Sequence, residues 1–206
     1  MRLAAIGRDT SATAIIEFAF MLPILVTVGL FGVEISNYAI VNTKMSQIAL
    51  IVADTAARVR DSIDEADVNE VMLAAKLYGG GYNVTTNGRI ILSSVERNSK
   101  GGMYIRWQRC KGLKTLTSSY GAQGSGYDVA TPTAIGPAGN QISAIDGAPI
   151  MFVELAYDYQ PIFSSKLISN TVIKYTAAYT VRQRVDQVLK RASTSTPQAL
   201  CTVYDS

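Results

Sequence analysis

The segment Thr13-Ala14-Ile15-Ile16-Glu17-Phe18-Ala19-Phe20-Met21-Leu22-Pro23-Ile24-Leu25-Val26-Thr27-Val28-Gly29-Leu30-Phe31-Gly32-Val33 decides how this chain is read. From Ala14 to Val33 it carries one charge, Glu17, and no Lys or Arg occurs between Arg8 and Lys44. At about 1.5 Å per residue, roughly twenty apolar residues reach about 30 Å, the thickness of a bilayer's hydrocarbon core. Residues 13–34 are therefore predicted to form a transmembrane helix. Arg2 and Arg8 precede it, which places a short N-terminal tail in the cytoplasm and the rest of the chain across the membrane. A removed signal peptide is the competing reading. Glu34-Ile35-Ser36-Asn37-Tyr38-Ala39, which follows the apolar run, is a poor substitute for a small-x-small cleavage site.

A carboxylate inside such a helix costs about 2.5–3.5 kcal/mol on insertion scales and marks a functional position by default. Glu17 therefore needs a partner, in this chain or in another. Pro23 removes one backbone hydrogen bond and is expected to kink the helix or melt a turn. Gly29 and Gly32 permit close helix approach but do not make a Gly-x-x-x-Gly pair.

Past the apolar run, Val41, Met45, Ile48, Val52, Thr55 or Ala56, and Val59 recur at helical spacing, with Lys44, Gln47, Asp54, Arg58 and Arg60 between them. One helix is predicted from about Ala12 to Arg60, with residues 35–60 as its amphipathic continuation beyond the bilayer. Ser62-Ile63-Asp64-Glu65 fits a capping box with Ser62 as the cap. The helix it opens carries Val68, Val71, Met72, Ala75 and Leu77 and stops at Gly79-Gly80-Gly81. Its acidic start suits a helix N-terminus and lacks the ligand spacing of a calcium loop.

The remainder of 61–206, a soluble head, reads as strands. Tyr82–Thr86, Asn87-Gly88 and Arg89–Val95 fit a hairpin. The stretches 103–108, 151–159 and 173–182 alternate with a period of two, as half-buried antiparallel strands do. The fold class is α+β: a long N-terminal helix packed on an antiparallel sheet. Residues 111–149 are rich in Gly and Pro and read as an exposed, flexible loop.

The two cysteines, Cys110 and Cys201, form no Cys-x-x-Cys pair. Beyond a membrane they are expected to form a disulfide. Net charge is +3, which points to no particular partner. Arg106, Arg109, Lys111 and Lys114 cluster beside Trp107 and read as a charged strand edge rather than a nucleic-acid surface. The chain has no histidine, so Ser-His-Asp and Cys-His catalysis are excluded within it. Glu154 and Asp158, four apart, are separated by about 13 Å along a strand, too far for a glycosidase pair, and read as solvent-facing. No enzyme and no cofactor is expected.

The residues Arg8-Asp9-Thr10-Ser11-Ala12-Thr13-Ala14-Ile15-Ile16-Glu17-Phe18-Ala19, continuing to Leu22-Pro23, resemble the N-terminus of TadE-like minor pilins of tight-adherence pili, within the wider type IV pilin group. Segments 91–95, 105–110, 153–163 and 179–184 resemble the same family in order along the chain. The resemblance implies a pilin-like α+β fold and a cytoplasmic leader, residues 1–12, cut by a prepilin peptidase between Ala12 and Thr13. The usual residue before the cut is Gly, and Ala12 departs from it. The resemblance also implies that Glu17 and Phe18 act in recruitment and assembly. Glu17 of one subunit would meet the new α-amine on Thr13 of the next. The partners implied are major and minor pilins, the peptidase, the inner-membrane assembly platform and the membrane itself. The N-terminus would be cytoplasmic and the head periplasmic, or extracellular once in a pilus. The alternative is an uncleaved single-span envelope scaffold. A pseudopilin of a secretion system fits segment 154–163 less well.

Overall fold

A computed structural model describes residues 10–163 and 171–206. The chain forms two units. One is the first helix up to Ile40 together with the chain from Gln160. The other comprises Val41–Tyr159 and the strands that lead to Ser206.

The first helix, α1, runs Thr10–Arg58 without a break. The leader expected over residues 1–12 lies outside the described residues as far as residue 9, and α1 includes Ala12 and Thr13. Pro23 melts no turn: the backbone stays α-helical on both sides of it. The Thr27 hydroxyl donates to the Pro23 carbonyl at 2.7 Å.

In the second unit, α1 buries Val41, Met45, Ile48, Val52 and Ala56, with Ala49, Ala53 and Ala57 widening the stripe. Of the two residues offered for one position, Ala56 is buried and Thr55 is exposed. The helix ends at Arg58 rather than Arg60, and Asp61 turns the chain with φ 56°. Arg184 donates to the Ala56 carbonyl at 3.1 Å, satisfying one of the acceptors that a helix C-terminus leaves open.

Strand β1 (Asp61–Asp64) follows, then helix α2 (Glu65–Gly79). The cap lies two residues later than the sequence suggested. Asp64, not Ser62, accepts from the backbone of Ala66 and Asp67, and Asp67 accepts from the Asp64 N–H at 2.9 Å. The shift has a cause: Ser62 and Ile63 are used in β1, which pairs in parallel with β6 (Arg184–Lys190). Leu77, expected in the buried stripe of α2, is exposed. Lys44 of α1 sits 3.4 Å over the ring of Tyr78, whose hydroxyl donates to Gln47.

The expected hairpin does not form. Gly80–Tyr82 is a 3₁₀ turn, and Val84–Asn87 is a single helical turn, α3. Strand β2 (Gly88–Arg97) then enters a four-stranded antiparallel sheet with β3 (Met103–Lys111), β4 (Ile150–Asp158) and β5 (Val172–Thr180), in the order β3-β2-β4-β5.

Both faces of β2 and β4 are buried, which for β4 departs from the half-buried reading. One face carries Trp107, Arg109, Leu92 and Val153, aligned across the strands. On this face Arg109 meets Glu65 of α2, with Nε to Oε2 at 2.9 Å, and Gln198 donates to Glu65 Oε1. The other face carries Val95, Ile150 and Phe152, which pack with Met103, Ile105, Ile135 and Ala144. Ile135 and Ala144 belong to the stretch read as a flexible exposed loop. Most of that stretch is exposed as read, but these two residues pack on the sheet as part of a cover, with Tyr120 edge-on to Phe152 at 5.1 Å.

Glu65 and Arg109 are both buried, so removing one strands the other's charge, a loss of about 3–5 kcal/mol. Glu65→Ala is expected to lower the head's unfolding free energy by about that amount in urea. The fluorescence of Trp107, the only tryptophan, reports the transition. An additional Arg109→Met change is expected to recover much of the loss.

Candidate functional site: the apolar helix and its two carboxylates

Every residue from Thr13 to Val33 is exposed. The helix is long and apolar enough to cross a membrane, a test that a signal sequence near an N-terminus also meets. Bulky side chains lie all round it, among them Ile15, Phe18, Phe20, Leu22, Ile24, Leu25 and Val28. In a folded protein a helix that is apolar on every side is a core helix or a membrane span, and residues 13–33 are exposed in this chain. A Cβ added at Gly29 or Gly32 would meet nothing within 4 Å.

Glu17 is exposed on this surface, one position before exposed Phe18. Thr13, one turn earlier, is also exposed. The structure thus presents Thr13, Glu17 and Phe18 outward.

Glu34, at the far end of the same apolar stretch, behaves in the opposite way. It is fully buried. Its Oε2 accepts the N–H groups of Ile162 and Phe163, each at 3.1 Å. Both partners belong to the same unit as this part of α1. The sequence places Glu34 at the end of the predicted span 13–34 and at the start of an unsuitable cleavage site, and points to no partner for it. The available signal was a carboxylate directly after an apolar run, with a Pro-Ile-Phe segment far along the chain and no spacing to link them.

Cys110 and Cys201 are joined in a disulfide with their Cα atoms 4.7 Å apart. It anchors a C-terminal tail that Arg89 also holds. Arg89 is buried and donates to the carbonyls of Gly112, Cys201 and Val203, and its guanidinium lies 3.9 Å from the Tyr204 ring. Burial lowers its pKa. Gly112 is required here: its φ is 123°, and a Cβ would fall 2.3 Å from the Gly88 carbonyl oxygen. Closing a loop of this length contributes about 4–5 kcal/mol on the chain-entropy account. Arg89 was invisible in sequence because its hydrogen-bond acceptors are backbone carbonyls.

The basic cluster beside Trp107 is dispersed into pairs. Arg106 binds Glu96, Arg109 binds Glu65, Lys111 binds Asp205 and Lys114 binds Asp158. Glu154, read as solvent-facing, is buried. It accepts from the Ser118 hydroxyl and, at 2.8 Å, from the Ser119 N–H. The covering loop thus uses Glu154 as an attachment point.

No family model, no curated protein and no solved structure matches this chain.

Burial raises the pKa of Glu154, with the serine hydrogen bonds opposing that shift in part. A carboxyl whose folded pKa is raised contributes stability that is full below its unfolded pKa of about 4.3 and is lost as pH rises through the folded value. Glu154→Gln removes the titration. The stability of the Gln variant relative to the parent is therefore expected to rise between pH 4 and pH 7. Urea unfolding at a series of pH values checks this, and a pH-independent difference contradicts it.

Proposed function

We propose that this chain is a membrane-inserted minor pilin of the TadE-like kind, acting in the initiation of a tight-adherence pilus or at its tip in adhesion. The observation that carries the reading is the division of α1. Its first half is an exposed apolar surface with an outward carboxylate at Glu17, and its second half is buried in the α+β head. A subunit of this form sits in the inner membrane with its head outside the cytoplasm. It passes into a filament when neighbouring apolar helices replace lipid around residues 13–33. Glu17 carries a penalty in hydrocarbon that a cationic α-amine on a neighbouring subunit's Thr13 relieves. That difference between bilayer and filament drives recruitment. The partners are other pilins, the prepilin peptidase and the assembly platform.

A second reading, an uncleaved envelope scaffold, is favoured by one observation: Ala12 stands where Gly is usual before the cut. The N-terminal residue of the native membrane protein separates the two. Intact mass and peptide sequencing are expected to find Thr13. A start at Met1 with active peptidase present supports the scaffold.

Glu17→Gln keeps shape and removes charge. Its incorporation into filaments is expected to fall well below the parent's at equal membrane abundance, measured by immunoblotting of sheared pili. Parental incorporation would exclude charge pairing as the recruiting force.

A further inference from the structure

The apolar stretch of α1 ends at Val33, and the next residue is a carboxylate with no exposure at all. A carboxylate taken from water must be hydrogen-bonded. Glu34 meets that requirement through the backbone N–H groups of Ile162 and Phe163, both at 3.1 Å to Oε2, with the Ile162 N–H also 3.4 Å from Oε1. Pro161 has no N–H, so the first two donors after it converge on one carboxylate. Charge-assisted bonds of this kind are the stronger class.

Using the backbone in this way leaves the side chains of the segment turned elsewhere. Ile162 is 56% exposed and Phe163 is 47% exposed. Two large apolar side chains are thus held outside, on backbone that touches the helix where the exposed apolar surface of Leu30, Phe31 and Val33 ends. Apolar and aromatic groups at this level belong to the membrane–water boundary.

We infer that the Pro161–Phe163 segment is a second membrane contact: Glu34 clamps its backbone to the helix so that Ile162 and Phe163 enter the edge of the lipid bilayer. This rests on the reading of residues 13–33 as a membrane span. The occupant is lipid rather than a second copy of the chain, because the residue that holds the segment, Glu34, directly follows the surface that this reading gives to lipid. The clamp also explains how a carboxylate is tolerated at the end of the span, since the segment that contacts lipid is the one that shields it.

The test uses the full chain in vesicles of phosphatidylethanolamine and phosphatidylglycerol, with or without a phosphatidylcholine brominated on its acyl chains near the headgroup. Tryptophan is introduced as Phe163→Trp, as Ile162→Trp and, for the span itself, as Leu25→Trp, and the parent's Trp107 signal is subtracted. All three are expected to be quenched by the brominated lipid, with blue-shifted emission. Adding Glu34→Ala to Phe163→Trp is expected to remove most of the quenching and to leave that of Leu25→Trp unchanged. If Leu25→Trp is quenched while neither loop variant is, the loop contact is wrong and the span stands. Blue-shifted loop emission that brominated lipid does not quench indicates protein cover and also overturns the inference. If Leu25→Trp is not quenched, the span fails and the loop contact with it. Loop quenching that survives Glu34→Ala overturns the clamp.

Discussion

One helix carries two kinds of surface, and the rest of the structure follows from that. Residues 13–33 of α1 expose apolar side chains on every side, whereas residues 41–57 bury a stripe and turn Lys44, Asp54 and Thr55 outward. A uniformly apolar helix has no preferred face. The second half has one, because its amphipathic period selects it. Small residues at Ala49, Ala53, Ala56 and Ala57 bring that face close to its neighbours. The Lys44–Tyr78 and Gln47–Tyr78 contacts pin α2 beside it. Arg184 secures the last turn and brings β6, and with it β1, to the end of the helix.

The head is held by charged groups used as connectors inside apolar layers. Arg109 and Glu65 join the edge strand to α2, and Gln198 brings the C-terminal tail to the same point. Arg89 of β2 holds the tail through the carbonyls of Cys201 and Val203 and also bonds that of Gly112. Glu154 fixes the covering loop. Each such group is costly when unpartnered and specific when satisfied. The sheet therefore tolerates a cover made of irregular chain: a few directional bonds locate it, and Ile135, Ala144 and Tyr120 supply the burial.

What was legible in sequence was what local periodicity encodes. The long helix, its buried stripe and strands β3, β4 and β5 follow from spacings of 3.6 and 2. What failed depended on distant partners. Asn87-Gly88 has hairpin chemistry, but Val84 is packed against Gly79 and the segment winds into a turn of helix. Ser62 is a sound cap in isolation, but β6 claims its backbone. Strand β6 itself carries exposed Val185 and Val188 and gives no clean alternation. The Gly- and Pro-rich stretch has the composition of a mobile loop, and only the apolar face of β4 beneath it shows that it must be a lid on a core. At the candidate site, the exposure of Glu17 was legible because the apolar run is local. The burial of Glu34 was not, because its donors lie more than a hundred residues away.

Glu17 and Glu34 state the same physical problem at the two ends of one apolar surface, and among the described residues backbone N–H groups answer it at Glu34. Glu34 is enclosed by its own chain's backbone donors, so its charge is compensated wherever the helix resides. Glu17 is left outward on a helix whose every side is apolar, where a bilayer offers no donor and a neighbouring chain can supply one. Glu34 is compensated within the fold, whereas the exposed Glu17 makes the free energy of the helix depend on what stands beside it. In the proposed assembly, a carboxylate placed in this way would give an otherwise non-directional apolar contact between helices a preferred register, that which brings a cation to it. That asymmetry ties the proposed recruiting role to Glu17 rather than to the helix as a whole.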